Sequence, residues 1–139
     1  MLSVDIPVRF GDVDQAKIVY YPRFFHYCHV AMEEAFRLAG GIPYRDVLEK
    51  DRLGFPAVHL EADFDDTVGY GETIKMKVVV EKVGRTSVTW RFTGVRASDG
   101  VPALRAKVVT VAVDMDGWKA VDVPPTYRAI LEKLAAAAG

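Results

Sequence analysis

The stretch from Phe10 to Pro22, FGDVDQAKIVYYP, holds the residues of this chain that are best suited to chemistry. Two aspartates, Asp12 and Asp14, stand just ahead of a tyrosine pair and a proline, which suits the first turn of a helix because it lacks an N–H. The first N–H groups of a helix have no intrahelical partner and carry partial positive charge. A carboxylate beside them predicts an oxyanion site with a nucleophile or a base next to it.

The elements around this stretch are predicted from the spacing of apolar residues. Strict alternation over residues 4–10 predicts a strand with Phe10 on its apolar side, and Pro7 makes it an edge strand or a strand end. A helix is predicted from Pro22 to about Ala39, ended by two glycines. Its apolar arc is much wider than a surface helix needs, so we expect other elements to wrap it.

After a predicted short helix over residues 43–50, the apolar pattern changes to period two for roughly sixty residues, which is typical of strands. The predicted strands cover residues 56–64, 74–80, 86–92 and 103–114. The valine-rich run from Val108 to Val113 predicts a central strand covered on both faces. A last helix begins at Pro125. Consecutive strands with turn-length links predict an antiparallel sheet curled around the long helix, an α+β architecture.

Composition narrows the classes of function. The chain has 139 residues and a net charge of −1, which predicts one ordinary domain and argues against nucleic acid as a partner. The single cysteine, Cys28, has no intrachain partner for a disulfide. We find no signal-peptide pattern and no apolar run of the roughly 18 residues that span a membrane. These features predict a soluble, cytoplasmic protein that does not bind a membrane.

The string FGDVDQAKIVYYPRFFHY resembles the signature of the hotdog-fold acyl-CoA thioesterases of the 4-hydroxybenzoyl-CoA thioesterase type. In that family an aspartate precedes a Val-aromatic-Tyr-Pro run that begins the central helix. The resemblance implies a single hotdog domain over residues 1–139 that hydrolyses an acyl-CoA without a metal or other cofactor, CoA being part of the substrate. It also implies a homo-oligomer, a dimer at minimum and, by expectation, a tetramer arranged as a dimer of dimers.

By the same resemblance, Asp14 is the catalytic carboxylate and the backbone N–H of Tyr21 binds the oxyanion. Asp14 either attacks the thioester carbonyl, giving a mixed anhydride, or acts as a general base on water. Aspartates in such loops also cap turns, and we interpret Asp12 as a residue that braces the loop. The family pattern reads Asp-x-Asp-Pro-Ala-Gly, whereas this chain continues with Gln15-Ala16-Lys17, which alters the stiffness of the loop and adds a cation.

The histidines of the helix allow several interpretations. The spacing of His26, His29 and Glu33 suits a metal, but without a second cluster a solvated polar face is favoured, so no metal site is predicted. Neither histidine can serve Cys28 as a base, because residues one or two apart on a helix point in different directions. If the helix lines an acyl pocket, as in the family, His29 meets a polar substituent of the acyl group.

The remaining predicted binding residues follow from the resemblance. It places the CoA phosphates near the Gly84 turn, where Arg85 is the first choice, with Thr86 and Ser87 as hydroxyl donors; ordinary charged strand ends are an equally good explanation. The strand after the helix commonly pairs with its symmetry mate in hotdog proteins. Phe55 and His59 are therefore predicted to approach the Asp14 site of a partner chain.

Two other functions fit a hotdog fold. One is a non-catalytic protein that binds acyl-CoA or an acyl-carrier protein. The other is a dehydratase, for which we expect a histidine near the helix start, where this chain has Tyr20-Tyr21. Release of free thiol from acyl-CoAs separates the thioesterase from the binding protein.

Overall fold

A computed structural model describes residues 2–138, and within them the chain forms eight β-strands and three α-helices. The strands are β1 (Leu2–Pro7), β2 (Leu53–Gly54), β3 (Ala57–Phe64), β4 (Thr73–Val83), β5 (Ser87–Arg96), β6 (Pro102–Val111), β7 (Val113–Asp114) and β8 (Lys119–Ala120). The helices are α1 (Pro22–Gly40), α2 (Tyr44–Glu49) and α3 (Pro125–Ala138). The first and last residues of the predicted domain, Met1 and Gly139, lie outside the described residues.

Five strands form the main antiparallel sheet, in the order β1-β4-β5-β6-β3. β1 lies at one edge, as Pro7 predicts. β4, β5 and β6 follow one another as hairpins, but β3 pairs with β6 at the opposite edge. The link between β3 and β4 is therefore a crossover, and the prediction of turn-length links is wrong for this pair. Residues 65–72 cross three strand spacings, about 14 Å, which eight residues span easily.

Helix α1 lies on the inner face of this sheet. Its buried side chains are Phe24, Tyr27, Cys28, Ala31, Met32, Ala35 and Phe36. The ring of Phe36 meets that of Trp90 from the sheet, with centroids 6.0 Å apart. Gly41 ends the helix with a φ of 67°, a conformation that favours glycine, so the predicted helix end is confirmed. No helix within residues 2–138 is long and apolar enough to span a membrane.

Edge strand β3 exposes apolar side chains. Within residues 2–138 it pairs only with β6, and Val58, Leu60 and Phe64 are 62%, 39% and 47% exposed. An exposed edge strand offers unpaired backbone groups to a strand of another chain. This edge is therefore suited to contact with a second protein chain.

The valine-rich run lies mainly in β6, which is an interior strand as predicted, but the prediction that this strand is covered on both faces is wrong. β6 ends at Val111, and Val113 pairs with Gly54 in a small second sheet of β2, β7 and β8. Val109 and Val111 face outward and are partly exposed. Valine fits the pleated surface of a half-covered strand as well as that of a fully covered one, so the run does not distinguish them.

Candidate active site

Asp14 lies at the tip of a small hairpin. Val13 and Val19 face each other as an antiparallel bridge, and the Asp14 N–H donates to the carbonyl of Ile18 at 3.0 Å. The carboxylate Oδ1 of Asp14 accepts the N–H of Ala16 at 2.8 Å, a contact that aspartate often makes in turns. Within the described chain, the exposed carboxylate accepts no other hydrogen bond. Asp14 therefore caps its turn through one oxygen and leaves the other available to a substrate.

Lys17 turns the chain back within this hairpin. Its φ is 66°, and its N–H donates to the carbonyl of Asp14 at 2.9 Å. This left-handed conformation favours glycine and costs another residue about 1–3 kcal/mol. The family pattern has glycine at this place. This chain therefore has a strained lysine at a turn position that suits glycine. The lysine also adds a cation close to Asp14.

The start of α1 is joined to the same hairpin. The Tyr20 N–H donates to the carbonyl of Asp12 at 2.8 Å, and Tyr21 caps the helix. Within residues 2–138, the N–H of Tyr21 has no hydrogen-bond acceptor. Tyr21 is three residues from Ile18, which faces Asp14, so about 10 Å of extended chain separates the two backbones. Asp14 and the start of α1 therefore belong to one short, hydrogen-bonded segment of the chain.

An open cleft of about 720 Å³ adjoins Asp14. Its lining includes Lys17 and the rings of Phe10 and Tyr70, which meet edge to face with centroids 6.2 Å apart. The predicted place of Phe10 on the apolar side of the first strand is wrong, because β1 ends at Pro7 and Phe10 is 78% exposed. Neither ring was predicted to lie at the site. The available signal was an aromatic residue directly ahead of the Gly-Asp turn.

A second cavity, of about 290 Å³, lies between α1 and the sheet. It brings together two predicted binding residues, His29 and Phe55, and Leu60 of the exposed edge strand forms part of its wall. The lining is mostly apolar and aromatic. His29 Nε2 lies 3.6 Å from Glu33 Oε2. The imidazole is therefore a polar group in the cavity wall with a carboxylate beside it. We call this space the helix–sheet cavity.

Five of the predicted binding residues lie far from Asp14 in the same chain. The hairpin lies at the start of β4, where Ile18 bridges to Gly69. β4 then runs for 11 residues to the Gly84 turn, a length of about 34 Å. The predicted residues at or near that far end are Phe55, His59, Arg85, Thr86 and Ser87. Within one chain, the structure does not bring them to the Asp14 carboxylate.

The far-end residues already have partners in the fold. Arg85 is exposed and pairs with the exposed carboxylate of Asp122. His59 Nε2 lies 2.7 Å from Glu61 Oε1. The carbonyl of Ser87 accepts the N–H of Gly84 at 2.7 Å and closes the turn. Exposed ion pairs are weak, so an anionic ligand is able to replace Asp122 at Arg85.

The structure supports the interpretation of Cys28 as a packing residue. The side chain is 3% exposed, and burial raises the pKa of its thiol to about 12. A thiol that is protonated at neutral pH is a poor nucleophile. Among the described residues, no group of histidine, cysteine, aspartate and glutamate side chains has the geometry to hold a metal ion.

Comparison with known proteins relates this geometry to a family. The model of the thioesterase-like superfamily matches residues 8–134. The chain belongs to this superfamily. The superfamily match therefore spans the Asp14 hairpin, both of these cavities and the first ten of the 14 residues of α3.

Several relatives are similar to this superfamily member over most of their length. The 4-hydroxybenzoyl-CoA thioesterase of Pseudomonas sp. (strain CBS-3) is 29% identical over 126 residues, 86% of this chain and 89% of the relative. A 1,4-dihydroxy-2-naphthoyl-CoA hydrolase of Prochlorococcus marinus (strain NATL2A) is 27% identical over 111 residues, 75% and 71% of the two chains. A solved thioesterase-superfamily structure from Jannaschia sp. CCS1 is 27% identical, covers 96% and 92% of the two chains, and superimposes with a TM-score of 0.87.

These comparisons confirm the predicted resemblance and the predicted α+β hotdog fold. They also confirm, at the level of the family, the prediction that the chain is an acyl-CoA thioesterase. The roles of individual residues stay predictions.

Proposed function

We propose that this thioesterase hydrolyses an acyl-CoA to the free acid and CoA, with Asp14 as the catalytic carboxylate and the Tyr21 N–H as the oxyanion donor. The observation that carries the proposal is the hairpin that holds both groups. Asp14 is exposed at its tip, and Tyr21 follows its second arm at the start of α1. A helix of 19 residues concentrates partial positive charge at this N-terminus.

Two reaction modes are open to Asp14. As a nucleophile, its oxygen bonds to the thioester carbon, CoA leaves as the thiolate, and water then hydrolyses the mixed anhydride. As a general base, it takes a proton from the water that attacks the same carbon, and the C–S bond then breaks so that CoA leaves as the thiolate. Either path places negative charge on the carbonyl oxygen. The Tyr21 N–H and the helix dipole stabilise that charge.

The helix–sheet cavity is the proposed acyl site. Its volume of about 290 Å³ is roughly twice that of an apolar protein cavity that binds benzene. One or two fused rings, or a short aliphatic chain, therefore fit. His29 offers the acyl group a polar contact, whereas Phe55 offers an apolar one.

The proposed active unit is a homodimer joined along β3. The support is the exposed apolar edge, including Val58 and Phe64. In this dimer a two-fold axis pairs the β3 strands of the two protomers antiparallel. The Phe64 end of one strand then lies beside the Ala57 end of the other. Because the ring of Tyr21 lies against Phe64, with centroids 6.1 Å apart, the hairpin of one protomer then faces the cavity of its partner.

The same pairing accounts for the long distance, within one chain, between Asp14 and the predicted binding residues at the far end of the sheet. The far end of one protomer, with His59 and the Gly84 turn, comes to the Asp14 side of the other. Arg85, helped by Thr86 and Ser87, is then placed to bind the phosphates of CoA. A dimer of dimers, a single catalytic domain over residues 1–139, a cytoplasmic location and the lack of a cofactor stay predictions.

The test is release of free thiol from a panel of aromatic, short-chain and long-chain acyl-CoAs. We expect Asp14→Asn to lower kcat about a thousandfold, within the usual contribution of a catalytic acid, base or nucleophile. Asp114→Asn is the matched control, because Asp114 is also exposed and also accepts the N–H two residues later, at 3.0 Å. Asparagine can keep both turns, so each variant should fold and assemble.

The outcomes separate the candidate functions. Full turnover by Asp14→Asn would move the site elsewhere. Tight binding of acyl-CoA by the unmodified protein with no thiol release from any member of the panel would favour the non-catalytic alternative. The same panel identifies the acyl group.

A further inference from the structure

Asp12 is the point at which three segments around the proposed site meet. Its Oδ2 accepts the hydroxyl of Tyr27 at 2.7 Å and the N–H of Arg9 at 3.0 Å. Its Oδ1 lies 3.9 Å from Nε of Arg23. The Asp12 side chain is only 15% exposed, so these contacts are partly shielded from water.

The backbone of Asp12 adds two more contacts. Its N–H donates to the carbonyl of Arg9 at 3.0 Å, and its carbonyl accepts the N–H of Tyr20 at 2.8 Å. One residue thus joins the chain after β1, the residue ahead of the helix cap, and the second turn of α1. Asp14 follows two residues later, and Tyr21 follows Tyr20.

Tyr27 fixes this junction from inside the core. It is 2% exposed, and its ring meets that of Phe24 edge to face, with centroids 6.1 Å apart. Burial raises the pKa of its hydroxyl, and the hydrogen bond and the charge of Asp12 raise it further. The hydroxyl therefore stays protonated and keeps donating to Asp12 at any pH where a thioesterase is assayed.

We propose that Asp12 and Tyr27 are positioning residues, which hold Asp14 at the correct distance from the Tyr21 N–H. The inference rests on the proposed function of those two groups. Catalytic groups need support to within about 0.5 Å, and a displacement of about 1 Å can cost a hundredfold in rate. A rigid junction between the hairpin and α1 supplies that support, and neither Asp12 nor Tyr27 needs to touch the substrate.

A second tyrosine–aspartate pair provides an internal control. The hydroxyl of Tyr127 on α3 donates to the carboxylate of Asp51, which follows α2. Tyr127 is 3% exposed, nearly the same as Tyr27, and burial likewise raises the pKa of its hydroxyl. Tyr27→Phe and Tyr127→Phe therefore each remove a buried hydroxyl that donates to an aspartate. The first lies beside the Asp14 hairpin and the second at the far end of the sheet.

The experiment measures kcat, KM and Tm for both variants with one acyl-CoA that the unmodified enzyme turns over. We expect Tyr27→Phe to lower kcat at least tenfold with KM changed less than about twofold, because ground-state binding survives when catalytic alignment is lost. Tyr127→Phe should keep kcat within about twofold. Both should lower Tm by a few degrees.

The result that overturns the inference is an equal effect of the two variants on kcat. If Tyr27→Phe does not fold, Asp12→Ala replaces it, since alanine removes the one oxygen that accepts both hydrogen bonds; unchanged kcat there also overturns the inference. Asp14→Asn in the same assay separates the two proposals. An inactive Asp14→Asn beside a fully active Tyr27→Phe refutes the positioning role alone, whereas a fully active Asp14→Asn refutes the proposed function as well.

Discussion

The two ends of the main sheet carry the same chemical groups in different surroundings. At each end a buried tyrosine donates its hydroxyl to an aspartate, Tyr27 to Asp12 near the hairpin and Tyr127 to Asp51 at the far end. Each end also has an exposed aspartate that caps its own turn through the N–H two residues later. Neither the type of residue nor its immediate hydrogen bond therefore distinguishes the two ends.

The surroundings of these groups differ in one physical respect. Asp14 is joined through the Val13–Val19 bridge to the start of a 19-residue helix, where N–H groups lack partners. Asp51 follows the last turn of α2, where carbonyls and partial negative charge dominate. A developing oxyanion is stabilised at the first place and repelled at the second. The comparison teaches that the helix terminus beside a carboxylate, more than the carboxylate itself, distinguishes the proposed site.

Among the changes that test this comparison of the two ends, separating two copies of the chain should have the largest effect, because the near end of one is proposed to work with the far end of the other. We expect Val58→Asp to place an unpaired charge on the β3 edge, to give monomers, and to lower kcat/KM about a hundredfold through loss of a complete site. Sedimentation and thiol release measure the two effects. Val79→Asp, on the outer face of β4, should stay oligomeric and active. A fully active Val58→Asp monomer would show that each chain holds a complete site.

The next effect concerns stability at alkaline pH, where the two tyrosines should act alike. Burial raises the pKa of both hydroxyls and raises the pKa of the Cys28 thiol to about 12. The folded protein holds these protons more tightly than the unfolded chain does. The free energy of unfolding should therefore be unaffected below about pH 8 and fall as pH rises above the pKa of each group in the unfolded chain, about 8.5 for the thiol and about 10 for the hydroxyls, by about 1.4 kcal/mol per pH unit for each group.

Urea unfolding between pH 8 and pH 11 tests this equivalence. Tyr27→Phe and Tyr127→Phe should each remove one group's share of the alkaline slope, although only Tyr27→Phe should lower kcat. An unchanged slope for Tyr27→Phe would contradict the buried contact with Asp12.

The smallest effect is expected at Lys17. Its left-handed backbone is strained, so Lys17→Gly should raise the free energy of unfolding by up to about 1 kcal/mol, part of the relief being offset by the greater flexibility of glycine when unfolded. Urea unfolding at neutral pH measures the change. Lys17→Ala, which removes the same cation and keeps the strain, is the control. A loss of stability in Lys17→Gly alone would mean that the flexibility of glycine outweighs the strain.

Much of the fold could be predicted from the sequence because its signals are local. The apolar period over α1 and the alternation in β4 and β5 follow directly from which side chains each element buries. The place of β3 and the division between β6 and β7 could not be predicted in this way. Alternation says which face of a strand is buried but not which strand lies beside it, and valine-rich runs fit both central and half-covered strands.

The proposed site has a local sequence signal only in part, for the same reason. Asp14 and Tyr21 are linked through a hairpin only a few residues long, so local sequence already implies that they lie close together. Phe10 and Tyr70 are sixty positions apart in the chain and meet only because the loop ahead of β4 folds against the chain after β1. Their contact has no local signal.

The sequence by itself determined that an aspartate in a turn precedes a helix that begins at a proline. These features of Asp14, Tyr21 and Pro22 depend only on backbone groups a few residues away. It also determined the family, because the distinctive string is continuous. The tertiary structure alone decided that Asp12 joins Tyr27, that His29 and Phe55 share a cavity, and that Arg85 lies at the opposite end of the sheet from Asp14. Those relations depend on how strands and helices pack over tens of ångströms, and no pattern of neighbouring residues encodes such distances.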